Sequence, residues 1–302
     1  MLQRGLVVWL CLWGGTAVAA DLSTAPAEEL MRVYSQLRSL RGSDQWAVTE
    51  NVVWKRDAAT FTLREGHLTF AEAVAGHVVA AVFEGQGSIE LNPPTSTEMH
   101  QIARFTGGPG LTDQFHEAVF FFTDDSWAEL QNLLLIHRGG DARKAGQALE
   151  SAQKKYAESF NDWWENETKG NPTVRNLAAR MLADLSDPSS RGLFLADFKG
   201  ERSGHLLYQI SWNRDSLMLP GMSNDEEVML LHYDLNSYFE WWAGFHLEDE
   251  YAHGALPEHR TLLAHCRQER IEAEIGKDNR LWPPPRCNLK FLTAPRGSCR
   301  ST

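Results

Sequence analysis

Along residues 205–212, Leu206, Tyr208, Ile210 and Trp212 occupy one parity, while Gln209, Ser211 and Asn213 share the other. Period-two alternation marks a strand with one buried face and one wetter face, and it commits this part of the chain to a sheet. Asn213-Arg214-Asp215-Ser216 and Leu219-Pro220-Gly221 read as breaks, because Asn, Asp, Pro and Gly supply turn geometries. Further strand-like runs surround it within residues 191–250: Gly192 to Gly200, Glu227 to Tyr233, and Tyr238-Phe239-Glu240-Trp241-Trp242. Several strands must return on one another here.

The same texture appears earlier. Residues 48–122 carry Val52-Val53-Trp54, Thr60-Phe61-Thr62-Leu63, Leu68-Thr69-Phe70, Val78 to Phe83, Ile89 to Leu91 and Phe115 to Phe122. Arg64-Glu65-Gly66-His67 and Glu84-Gly85-Gln86-Gly87 read as hairpin connections. The run Val119-Phe120-Phe121-Phe122 is too apolar to face water on either side. A helix is expected after Ser23-Thr24-Ala25-Pro26, with Leu30, Val33, Tyr34 and Leu37 at helical spacing. Thr97 to Phe105 reads as a short helix. Residues 123–187 read as a helical middle, begun by Thr123-Asp124-Asp125-Ser126 and rich in strong helix formers over 141–164. The fold class is therefore α+β, with strand-rich blocks at 48–122 and 191–246, in one sheet or a sandwich, flanking the helical segment.

Composition bounds the function. A hydrophobic content of 43% supplies a core, and a formal net charge of −11 without a basic stripe excludes a general nucleic-acid binder. Arg4, the apolar run Gly5 to Trp13 and Ala17-Val18-Ala19 read as a secretory signal peptide over residues 1–20, so the expected location is secreted or periplasmic. No later segment is long and apolar enough to be a transmembrane helix. Of the four cysteines, Cys11 lies in the signal region and Cys266, Cys287 and Cys299 lie near the end. At most one disulfide could form among those, leaving a thiol over, so stability must come from the core.

The motifs that carry chemistry are incomplete. His116-Glu117-Ala118-Val119-Phe120 has phenylalanine where a helical zinc site needs its second histidine, and it falls on a strand. Ala255-Leu256-Pro257-Glu258-His259 lacks the first histidine of the inverted form. His246, Glu248, Asp249, Glu250, His253, His259 and His265 are ligand types without a recognised spacing. No metal site is assigned from the sequence, and His246, Glu250 and His253 are its best candidates. Gly221-Met222-Ser223-Asn224-Asp225 misses the nucleophile elbow at its last glycine, and Ser151-Ala152-Gln153-Lys154 has none of its companion motifs. Gly85-Gln86-Gly87 lacks the third glycine of a dinucleotide fingerprint. Trp241 and Trp242 form a candidate surface for peptide or glycan, although adjacent residues of a strand cannot both face one core.

Arg191-Gly192-Leu193-Phe194-Leu195-Ala196-Asp197-Phe198, Asn224-Asp225-Glu226-Glu227-Val228-Met229 and Tyr238 to His246 resemble the N-terminal region of secreted bacterial aminopeptidase N-like proteins. Those are gluzincin metallopeptidases whose zinc domain lies further along the chain, and the resemblance covers about residues 22–281. It implies a non-catalytic α+β domain over 21–265, the start of a following domain at 266–282, and zinc held elsewhere, with no cofactor here. His-Glu-x-x-His with its downstream glutamate and Gly-x-Met-Glu-Asn do not occur in the sequence, so no catalytic residue is assigned. Ile271-Glu272-Ala273-Glu274-Ile275 alternates as a half-buried strand. Trp282-Pro283-Pro284-Pro285 then begins a basic, cysteine-containing tail, and a truncated or frame-disrupted member with a disordered 283–302 is expected. A peptidase domain or a peptide substrate is the expected partner. The alternatives are a free-standing peptide- or glycan-binding module, and a hydrolase with a histidine–carboxylate metal site near His246–His265.

Overall fold

The computed structural model describes residues 22–140, 143–158, 177–212, 226–233 and 239–252. These form a mixed α+β unit around one antiparallel sheet. Its strands are β1 (Gly42–Arg56), β2 (Ala59–Ala71), β3 (Ala80–Leu91), β4 (Leu111–Phe122), β5 (His137–Arg138), β6 (Leu193–Gly200), β7 (Gly204–Ser211), β8 (Val228–Tyr233) and β9 (Phe239–Phe245). The helices are α1 (Ala27–Leu37), α2 (Ser96–Thr106), α3 (Ser126–Leu133), α4 (Arg143–Glu158), α5 (Leu177–Ser186) and the short α6 (Glu248–Ala252). The strand order is β5-β1-β2-β3-β4-β6-β7-β8-β9. Both strand-rich blocks thus join in a single sheet, by the pairing of β4 with β6, and the sandwich alternative falls away.

The sheet curls on itself. In a flat sheet β1 and β6 would lie about 19 Å apart, four strand spacings of about 4.8 Å. Instead the Trp54 and Phe194 rings meet at 5.3 Å, and the Tyr208 hydroxyl on β7 donates to the Arg56 carbonyl at the end of β1 (2.8 Å). The cause lies in mid-strand glycines. Gly66 on β2 sits opposite Gly85 on β3, where a Cβ at Gly66 would come within 2.4 Å of the Glu84 carbonyl oxygen. A Cβ at Gly87 would strike the Phe115 ring. Register shifts at Leu63/Glu65, Glu84/Gly87 and Phe115/Ala118 carry the bend across β2 to β6, as bulges do in coiled sheets.

Two sequence expectations are corrected here. Arg64-Glu65-Gly66-His67 and Glu84-Gly85-Gln86-Gly87 are not hairpin connections, because β2 and β3 pair straight through both, with His67 opposite Glu84. Their glycines serve close backbone approach, which resembles turn chemistry in a bare sequence. The tight connection is instead Asp57-Ala58 between β1 and β2, with Asp57 at φ 54°. The β7 face expected to be wetter is also buried: Gln209 and Ser211 are 0% and 1% exposed. Arg180 of α5 donates to the Ser211 hydroxyl there (3.2 Å). A helical layer covers that face, so polarity on β7 reports a polar contact and not solvent.

Each face of the sheet has its own core. The inner, concave face is filled by aromatic side chains, with Phe61 in ring contact with Phe115, Phe120, Phe194, Phe198 and Tyr208. Ile102 of α2 and Leu130 of α3 pack into the same cluster. On the outer face Val82, Phe121, Leu195 and Leu207 pack beneath Val33 and Leu37 of α1, Leu149 of α4 and Met181 of α5. β4 serves both, Phe120 and Phe122 pointing in and Val119 and Phe121 out, as its uninterrupted apolar run requires. Burial of each such side chain contributes roughly 1.5–3 kcal/mol.

At the mouth of the curl Arg56 is nearly enclosed and ion-paired to Asp124 and to Glu129 (2.6 Å). The Trp54 indole N–H donates to the same Glu129 (2.9 Å). Two charges on α3 and its approach thus fix that helix against β1. The signal peptide, Ile271 to Ile275 and the 283–302 tail lie outside the described residues.

Candidate metal centre

Val228 pairs with Phe245 across β8 and β9, so Glu227 and His246 fall opposite one another just beyond that pair. Cross-strand neighbours of this kind lie within side-chain reach. His246 Nδ1 is 3.1 Å from Glu227 Oε2. After β9 the chain turns at Leu247, which is buried in the inner core, and its carbonyl accepts from Glu250 N (3.0 Å) to open α6. That turn returns Glu250 to His246 at i,i+4 spacing, and Oε2 lies 3.4 Å from the same Nδ1. Among the described residues, the donor atoms of Glu227, His246 and Glu250 lie within 4.8 Å of one another.

Neighbouring contacts fix this geometry. The Glu227 carbonyl accepts from Ser211 N (2.8 Å), extending the β7–β8 ladder by one step. His246 N donates to the Tyr251 hydroxyl (3.3 Å). Burial holds that phenol above its ordinary range, with the Glu98, Glu226 and Glu227 carboxylates adding to the effect. The surroundings are therefore acidic. Glu227 is buried, with 2% of its side chain exposed, while His246 and Glu250 keep 20% and 21%. A buried carboxylate beside two accessible donors suits either an imidazolium ion pair or a divalent cation whose remaining positions go to water.

Of the residues singled out in the sequence, His246 and Glu250 come together here, while His253, His259 and His265 lie outside the described residues. Glu227 escaped sequence reading, although the antiparallel return of 227–233 against 238–242 was the signal that could have found it. His116 stays on a strand, at 3.1 Å from the Gly85 carbonyl and 3.0 Å from Glu201.

Trp241 and Trp242 separate. Leu230 pairs with Ala243 but Leu231 pairs with Trp241, so a bulge leaves Trp242 without a cross-strand partner. Trp242 and Ala243 consequently both face the inner core, an arrangement that a regular strand forbids. Trp242 is enclosed, its ring stacked between Phe105 of α2 and His232 of β8 (each 5.2 Å). Trp241 packs half-buried against the outer cluster. The pair does not form a shared aromatic platform.

Comparisons with protein-family models, with curated proteins and with solved structures found no match to this chain.

Proposed function

We propose that residues 21–265 form a non-catalytic domain of a secreted or periplasmic aminopeptidase N-like metallopeptidase, one that packs on or gates a peptidase domain. The observation that supports this reading is the filled interior of the curled sheet. Aromatic side chains from β1, β2, β4, β6 and β7 occupy the concave side, where a binding protein of similar curvature would hold its ligand. A hydrolase also needs a nucleophile or activated water, a base and oxyanion donors converging on open space. The peptidase motifs do not occur in the sequence, and the zinc that serves catalysis belongs, on this reading, to the peptidase domain. A peptide- or glycan-binding module is the alternative, and it would have to rely on Trp241, since Trp242 is enclosed.

The test is hydrolysis by the purified chain without residues 1–20. Alanyl- and leucyl-4-nitroanilide are expected to turn over no faster than the blank, with or without added zinc. Turnover that disappears in a His246→Gln variant would overturn the reading.

A further inference from the structure

We infer that Glu227, His246 and Glu250 bind a first-row divalent cation, zinc or manganese, which ties the paired ends of β8 and β9 to α6. The geometry carries this. For metal–donor distances of about 2.1 Å, adjacent donors lie about 3.0 Å apart in an octahedron and about 3.4 Å apart in a tetrahedron. The separations of His246 Nδ1 from Glu227 Oε2 and Glu250 Oε2 are 3.1 and 3.4 Å. Both separations from His246 thus match adjacent positions of a coordination polyhedron, and all three donor atoms lie within 4.8 Å of one another. One imidazole with two carboxylates is a borderline-to-hard ligand set, which suits zinc or manganese better than a thiophilic ion.

Charge points the same way. With neutral imidazole the two carboxylates carry two negative charges, which a proton on His246 would only half offset and a divalent cation balances. Glu98 and Glu226 lie close by and deepen the negative potential. Each donor also comes from a separately anchored piece of backbone: the ladder at Ser211, the end of β9 and the first turn of α6. A bound ion would pin α6 to the paired ends of β8 and β9. Its role is structural, and it is independent of the peptidase reading: a chain that binds the ion and hydrolyses nothing satisfies both.

The experiment uses the chain without residues 1–20, stripped with a chelator and dialysed. Titration calorimetry with zinc chloride and with manganese chloride, together with elemental analysis after dialysis, reads affinity and stoichiometry. One ion per chain is expected, with affinity falling at least about tenfold in Glu227→Gln, in Glu250→Gln and in His246→Gln. The thermal midpoint should rise with the ion and return with chelator in the native chain but not in the variants. Glu250→Gln, on the more exposed donor, serves if Glu227→Gln fails to fold. Absence of stoichiometric binding would overturn the assignment. So would binding whose affinity is unchanged in Glu250→Gln and His246→Gln, since the ion would then sit elsewhere.

Discussion

Asp57 shows how one residue can couple this fold to pH. It occupies the β1–β2 connection at φ 54° and accepts from the backbone N–H of Glu248 (3.1 Å), joining that connection to α6. Burial raises its carboxyl from 3.8 to about 6. The folded chain then holds a proton that the unfolded chain releases, so stability is favoured at acid pH and declines as pH rises between about 4 and 6. The penalty above pH 6 is at most about 3 kcal/mol. Asn keeps an acceptor for Glu248 and tolerates the left-handed backbone. Asp57→Asn should therefore stabilise the protein by roughly 1–2 kcal/mol at pH 7.5 and leave it unchanged near pH 4, as read by urea unfolding at both pH values. A variant less stable at pH 7.5 would show that the charged carboxylate is needed.

Nothing in the sequence singles out Asp57, because its shift comes from burial that only the fold supplies. The candidate centre divides in the same way. His246 and Glu250 are near in sequence, and their i,i+4 spacing could be read directly. Glu227 required knowing that β8 and β9 pair with Val228 opposite Phe245, and register is a property of the fold and not of either strand alone.

At the scale of elements, hydrophobic periodicity identified most strands and helices, since burial on one face leaves its period in the sequence. It failed where glycine does something other than turn the chain. Gly66 and Gly85 lie inside paired strands, and a Cβ at Gly85 would approach the Glu65 carbonyl oxygen to 2.1 Å. Backbone cannot yield as a flexible side chain can. Gly66→Ala should cost at least about 2 kcal/mol in urea unfolding. Gly107 makes the contrast: it caps α2 at φ 74° with nothing within 4 Å of its would-be Cβ, so Gly107→Ala should cost only about 1 kcal/mol. Equal costs would mean that the β2–β3 crossing is not as close as described. The Trp242 bulge is a second such failure. Alternation assigns Trp241 and Trp242 to opposite faces, and they do part, but it also sends Ala243 outward when the bulge turns it in.

At the scale of the whole sheet, the mixed α+β class and its strand-rich character were legible, but the closure of the sheet was not. Curling depends on where β2, β3 and β4 slip register, and no local pattern encodes how far two ends of a sheet will travel toward one another. The outcome is a sheet whose concave side is occupied by its own side chains, and the functional proposal rests on that packing. Its most direct test is a double-mutant cycle between Trp54 on β1 and Phe194 on β6. Trp54→Leu, Phe194→Leu and the double variant would be compared by urea unfolding. With the rings 5.3 Å apart, a coupling of about 0.5–1.5 kcal/mol is expected. Strictly additive losses would contradict the account, because they would place the two residues on a sheet too flat to bring them together.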